Sequence, residues 1–363
     1  MNDTPITKTD ESIKPPVTSV GVIGWIRGNL FNNIYSSILT LVTLYLLGRV
    51  VPPFIRWAFI DSQWLATGKG CQGVEGACWA VIPANIRFIL FGFFPYELQW
   101  RPLLAMILLV FLLFYSRNRR HWKKSLLYAW LAGLFIMGLL MKGGLGLTPV
   151  ESTLWGGLPL TLLLSVFGLA AAYPLGVILA LGRQSRMPAI KTLCIVYIEM
   201  IRGVPLITLL FMSSIVFPLF LPEGVTVNVI LRAQVAIIMF TAAYIAEVVR
   251  GGLQGMAKGQ YEAAESLGLN YYQTMRLVIL PQALKIVIPP TVSQLISALK
   301  DTSLVVIIAL YDLLKTTQSV LSNPKWMAHS SELYIFVALI YFGCCYFMSS
   351  YSRRLEEELD TGL

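Results

Sequence analysis

The chain has 363 residues, of which 56% are hydrophobic and only 13% charged, and its mean hydropathy is +0.69. A water-facing domain carries about 25% charged residues, so too few polar groups are present to cover a soluble surface. An ordinary cytosolic or secreted globule is excluded, and a disordered chain with it. The apolar stretches run on continuously and lack a period of two, which excludes a β-barrel. The fold class is therefore all-α integral membrane, a reading supported by 9 Trp and 16 Tyr that suit membrane interfaces. A net charge of +9 then reads as a topology signal rather than as a nucleic-acid partner.

The first 28 residues are polar and lack a basic stretch followed by an apolar core, so they read as a disordered cytoplasmic tail and not as a signal peptide. A span needs roughly 20 apolar residues. The pattern predicts about eight, at 34–51, 102–116, 125–141, 158–181, 190–221, 232–250, 283–308 and 332–352, with the fifth broken by Arg202-Gly203-Val204-Pro205. With both termini placed in the cytoplasm, 17 of the 28 Lys and Arg fall in inside loops and 8 in outside loops, as the positive-inside rule requires. Residues 29–148 read as an accessory three-helix region with a long outer loop. Residues 149–352 read as a five-span core, and 353–363 as a cytoplasmic tail.

The outer loop holds Cys71 and Cys78 in CQGVEGAC. In an oxidising compartment they are a candidate disulfide, with two free thiols as the alternative. Cys194, Cys344 and Cys345 lie in apolar spans and read as small hydrophobes. His121 and His329 are far apart, no Cys/His pair has zinc-ligand spacing, and no phosphate loop is present. No catalytic residue, metal site or cofactor site is expected in this chain.

The loop 251–282 is the most informative stretch. It reads as two short helices, the first stopping at Gly268 as a C-cap, the second capped by Asn270 with Gln273 three residues on and ended by Pro281. Such an elbow suits a docking knob, with a merely structured loop as the plainer alternative. Glu262-Ala263-Ala264, Gly268 and Leu280-Pro281 resemble the EAA loop of ABC-importer permeases at that family's spacing, with Val278 where Ile is usual. Residues 157–181, 197–206 (YIEMIRGVPL), 242–252 (AAYIAEVVRGG) and 299–304 (LKDTSL) resemble the polar amino-acid branch, the histidine/glutamine/arginine-type systems. CQGVEGAC and QWRP (99–102) look like the general L-amino-acid permease group.

The resemblance implies a five-helix type I permease core preceded by three extra helices, in a bacterial inner membrane. It also implies partners: an ABC ATPase dimer that uses ATP and Mg and is coupled through Glu262, Ala263, Ala264, Gly268, Leu280 and Pro281; a second related permease subunit; and a periplasmic amino-acid-binding protein. Membrane lipid and an amino-acid substrate complete the set, with no nucleic acid. An ion-gradient-driven secondary transporter and a non-transporting scaffold are the rival readings.

Charges within spans are expensive and mark a pathway, a partner or an interface. Glu199 and Arg202 stand three apart, as do Glu247 and Arg250, so each pair shares a helix face and can neutralise itself. Glu199 falls nine residues into its span, roughly 13 Å at 1.5 Å per residue, which places it away from the interface. Glu199, Arg202, Glu247, Lys300, Asp301, Thr302 and Ser303 are the candidate pathway for a zwitterion, and structural ion pairs remain the alternative. Gly and Ala along the fourth and sixth spans suit close packing, within the core or at a dimer interface.

Overall fold

A computed structural model describes residues 21–65, 71, 73 and 75–359. Most of the expected N-terminal tail lies outside them, but its last residues are helical: α1 (Gly21–Asn29) sets Val22, Trp25 and Ile26 on one exposed face, the spacing of an amphipathic helix. At the other end, the residues expected as a C-terminal tail continue the last helix as far as Leu359, and 360–363 lie outside the described residues.

Two compact units divide the chain, Met1–Ala80 and Val81–Leu363. In the first, α2 (Ile34–Ile55) starts at Asn33, whose side chain accepts from the Ser36 amide at 2.8 Å. None of its residues is buried, as suits a lipid-facing span. The π-helical stretch that follows it, Arg56–Ile60, is held by Trp79, whose indole donates to the Ala58 carbonyl at 2.6 Å. Cys71 and Cys78 are joined as a disulfide, with Cα atoms 6.0 Å apart.

The second unit contains α3 (Val81–Phe91), α4 (Trp100–Ser116), α5 (Lys124–Lys142), α6 (Gly157–Arg183), α7 (Pro188–Arg202), α8 (Leu206–Phe211), α9 (Val229–Gln254), α10 (Lys258–Ser266), α11 (Tyr271–Gln273), α12 (Leu280–Ile286), α13 (Ile288–Asp301), α14 (Leu313–Val320) and α15 (Ser330–Leu359). Among the described residues of both units, seven helices are long and apolar enough to cross a membrane, or eight when one bent pair counts as a span. That pair is the expected fifth span. It turns by 102° between Arg202 and Leu206, where Pro205 adopts an extended conformation that a helix interior does not allow.

The helix α3 was not expected, because 11 residues fall short of a span. It caps the start of α6: Gly157 takes φ +65°, and a Cβ there would lie 2.1 Å from the Leu90 carbonyl oxygen. Thr316 of α14 ties down the same segment by donating to the Ile89 carbonyl at 2.8 Å. The helices α4 and α5 pack against α6 through Ala105, Leu109 and Met137, within the same compact unit as the five-span core.

At the centre α6 and α9 lie in close contact. Ala172, Ala242, Ala243 and Ala246 are fully buried, and Gly168 and Gly176 face Ile237 and Ile245. These buried small residues therefore serve core packing, while Ala170 of the fourth span is exposed. At Gly176 a Cβ would stand 2.5 Å from Ile245 Cγ2 and 3.0 Å from the Ala242 carbonyl oxygen. Gly176→Val is expected to cost about 3 kcal/mol, the upper end for overpacking, read as a lower melting temperature of the detergent-solubilised protein. An unchanged melting temperature would show that the two helices separate freely.

Candidate functional site

The loop after α9 is built from local signals. The helix α10 ends at Ser266 with Leu267 as its C-cap, and Gly268 follows with φ +74°, a conformation costing an L side chain roughly 1–2 kcal/mol. Its amide donates to the Glu265 carbonyl at 2.8 Å, and the Leu269 amide to the Ala264 carbonyl at 3.1 Å, which closes the helix end. Asn270 and Gln273 form a reciprocal capping box, at 2.9 and 3.0 Å.

Pro281 does not end the second helix. The chain passes from α11 through a π-helical stretch (Thr274–Ile279) into α12, with Pro281 in its first turn. Proline has no N–H to donate, and a widened turn just before it absorbs that loss. Ala264 is 2% exposed, whereas Glu262, Ala263, Leu267 and Gly268 are exposed. The underside is anchored: Met275, Ile279 and Ala283 pack with Ile245, Val249 and Leu253 of α9. Gln282 of α12 donates to Gln260 of α10 at 3.1 Å. Burial raises the pKa of Tyr261, with Tyr271 adding to the shift. A firm base thus carries an exposed face that includes Glu262, Ala263 and Leu267, a shape suited to docking.

The charged residues pair differently from the helix-spacing expectation. Glu247 does bond Arg250, through Nε at 2.9 Å and also through Nη2. Arg202 lies 3.6 Å from Glu247 rather than pairing with Glu199, and Glu199 instead accepts from Arg183 at 2.9 Å. Arg183 also reaches Glu247 at 3.4 Å. Three arginines from α6, α7 and α9 therefore surround Glu247, whose side chain is 25% exposed, against 55% for Glu199. Arg202 also lies over the Tyr244 ring at 5.4 Å, and its Nε is buried without a partner among the described residues.

Glu199 is therefore within one arginine side chain of the end of α6, not deep along a span. Arg183 was missed as a member because it counted only as a loop cation.

The other polar stretch is separate; no ion pair among the described residues joins it to Glu247. Lys300 and Asp301 end α13, and Thr302 and Ser303 open a 3-10 stretch. Thr302 is fully buried and donates to the Leu299 carbonyl at 2.7 Å, while Ser303 donates to Lys300 at 2.8 Å. Nearby Asp312, which the sequence did not single out, is also fully buried and caps α14 by accepting from the Lys315 and Leu314 amides at 2.9 and 3.2 Å. Burial pushes its carboxyl pKa up, against those amides, which pull it down.

Residues 172–360 match the family model described as binding-protein-dependent transport system inner membrane component. The chain is 44% identical over 341 residues to the inner membrane amino-acid ABC transporter permease protein YhdY of Escherichia coli (strain K12), spanning 93% of both chains. It is 37% identical to the glutamate/glutamine/aspartate/asparagine transport system permease protein BztC of Rhodobacter capsulatus, over 99% of both. A crystal structure of an amino acid ABC transporter with histidines matches with a TM-score of 0.51 and 32% identity, covering 56% of this chain and 92% of that one.

Proposed function

The chain belongs to the family of binding-protein-dependent transport system inner membrane components, and from that premise we propose how it works within an amino-acid ABC importer. It is a multi-pass membrane transport component, and the ion-gradient reading has no support among its relatives. It serves as a permease subunit that passes amino acids, broad-range polar L-amino acids in this reading, by alternating access. The observation that carries the coupling role is the exposed face of α10 on a base fixed to α9.

In this reading an ATPase dimer receives Glu262, Ala263 and Gly268, and Leu280 and Pro281 hold the angle of the loop. ATP and Mg belong to that partner. A second related permease completes the pore, and a periplasmic binding protein delivers substrate at the opposite end. Both termini face the cytoplasm. Glu199, Arg202 and Glu247, with Lys300–Ser303, border the pathway: arginine suits an α-carboxylate and a carboxylate suits an α-ammonium.

The test is purification of the tagged chain from its native membrane. The expected result is co-purification of an ATPase and a second permease, with amino-acid uptake into proteoliposomes that stops without ATP. Uptake by the chain alone, without ATP, would overturn the reading.

A further inference from the structure

Between the α6–α7 turn and the second half of the coupling loop lies a cavity of about 500 Å³. The helix α10 contributes nothing to its lining, so a protein seated on α10 does not have to fill it. Two guanidinium groups border it. Arg186 lies 5.7 Å from the centre of the Tyr271 ring, and Arg276 lies 5.9 Å from that of Tyr272, while also donating to the Tyr272 hydroxyl at 3.2 Å. Neither has a carboxylate partner among the described residues. An arginine held against a ring keeps its edge N–H groups available for an anion.

The remaining lining is largely apolar: Leu181, Met275 and Leu280 line the interior, and Met187, 60% exposed, lies at the lip. Leu181 and Arg186 bracket the end of α6, a helix long and apolar enough to span the membrane, so the cavity opens at the membrane boundary. A free phosphate gains nothing from the apolar surface, and a neutral lipid gains nothing from two arginines without a carboxylate partner. One class of molecule uses both.

We propose that this cavity binds one anionic phospholipid, with its phosphate on Arg186 and Arg276 and the start of an acyl chain against Met187 and Met275. Basic pockets at the cytoplasmic membrane face bind such headgroups generally. The site joins the α6–α7 turn to the loop that carries α10, so its occupant braces the docking face against the core. Membrane charge thereby sets how efficiently a push on α10 reaches the spans.

The test uses the full transporter complex, wild type and Arg186→Gln/Arg276→Gln. Native mass spectrometry of the complex in mild detergent is expected to show retained phosphatidylglycerol on the wild type and about tenfold less on the double variant. In proteoliposomes, moving from pure phosphatidylcholine to a mixture with about 30% phosphatidylglycerol is expected to raise wild-type uptake severalfold and to leave the variant at its basal rate. Equal lipid retention by both proteins would overturn the site. So would an equal rise in uptake, which would mark a bulk surface-charge effect. Inorganic phosphate reproducing the stimulation in phosphatidylcholine would assign the cavity to free phosphate instead.

Should the double variant fail to assemble, Arg186→Gln alone, at an exposed position, carries the same comparison. The uptake readout rests on the importer reading, whereas the lipid count does not. Specific retention without any ATP-driven uptake would therefore fault that reading and leave the site standing.

Discussion

Ala263→Trp is expected to abolish ATP-driven uptake while leaving the protein folded, and Ala264→Trp is expected to damage both. The two alanines are neighbours on α10 but differ in burial: Ala263 is exposed, and Ala264 is 2% exposed. Tryptophan at an exposed position away from special contacts changes stability within about 0.5 kcal/mol. The same side chain forced beneath the helix costs about 1–3 kcal/mol or more through overpacking. A docking face, in contrast, tolerates little added bulk at its centre, and blocking it removes the coupling altogether. Uptake by Ala263→Trp should fall below about one hundredth of wild type, the scale of a central interface residue. Its melting temperature, and substrate capture by the binding protein, should stay unchanged.

Gly268→Val adds an intermediate case. Nothing lies within 4 Å of a Cβ there, so its effect comes from backbone strain of about 1–2 kcal/mol at positive φ and from a shifted angle between the two helices of the loop. Uptake and ATPase retention are read on the same preparations. Normal values for both in Ala263→Trp would remove the docking role from α10.

The parts of this site that the sequence revealed are those encoded within a few residues. The capping box at Asn270 and Gln273, the left-handed Gly268 and the break at Gly203–Pro205 are all local: each depends on one residue's conformational range or on a neighbour three positions away. The spans were legible for a similar reason, since length and hydropathy alone define them.

What failed was inference across helices. Spacing pairs Glu199 with Arg202, but a folded helix bundle offers other partners, and Arg183, 16 residues before Glu199, takes that carboxylate. Pro281 misled because the rule for proline assumes a regular α-helix around it, and the chain supplies a π-helical stretch instead. The short helix α3 was invisible to a criterion built on crossing the membrane. Asp312 carried a readable signal, an Asp directly before a helical run, but its complete burial depends on contacts distant in sequence, such as the Tyr341 hydroxyl 3.3 Å away.

Glu247→Gln carries the second large effect, because it separates a structural role from a transport role. Glu247 is the shared partner of Arg183, Arg202 and Arg250, so losing its charge removes the carboxylate from Arg202 and Arg250 and leaves Arg183 with Glu199 alone. Breaking a fully buried pair costs about 3–5 kcal/mol, and an exposed one about 0–1 kcal/mol. With the four side chains 23–31% exposed, a loss of about 2 kcal/mol is expected between those limits. Glu199→Gln removes one contact from a carboxylate that is 55% exposed, and should cost less than about 1 kcal/mol.

Stability and uptake therefore divide the two roles. If the cluster only holds α6, α7 and α9 together, uptake per folded complex stays near wild type in Glu199→Gln and falls in Glu247→Gln only as far as melting temperature falls. If the cluster borders the route of a zwitterion, both variants lose uptake at temperatures where both remain folded, and Glu199→Gln shows the cleaner separation because it sacrifices so little stability. Full uptake by folded Glu199→Gln would take Glu199 out of the pathway and leave Arg183, Arg202 and Glu247 as a three-helix clamp.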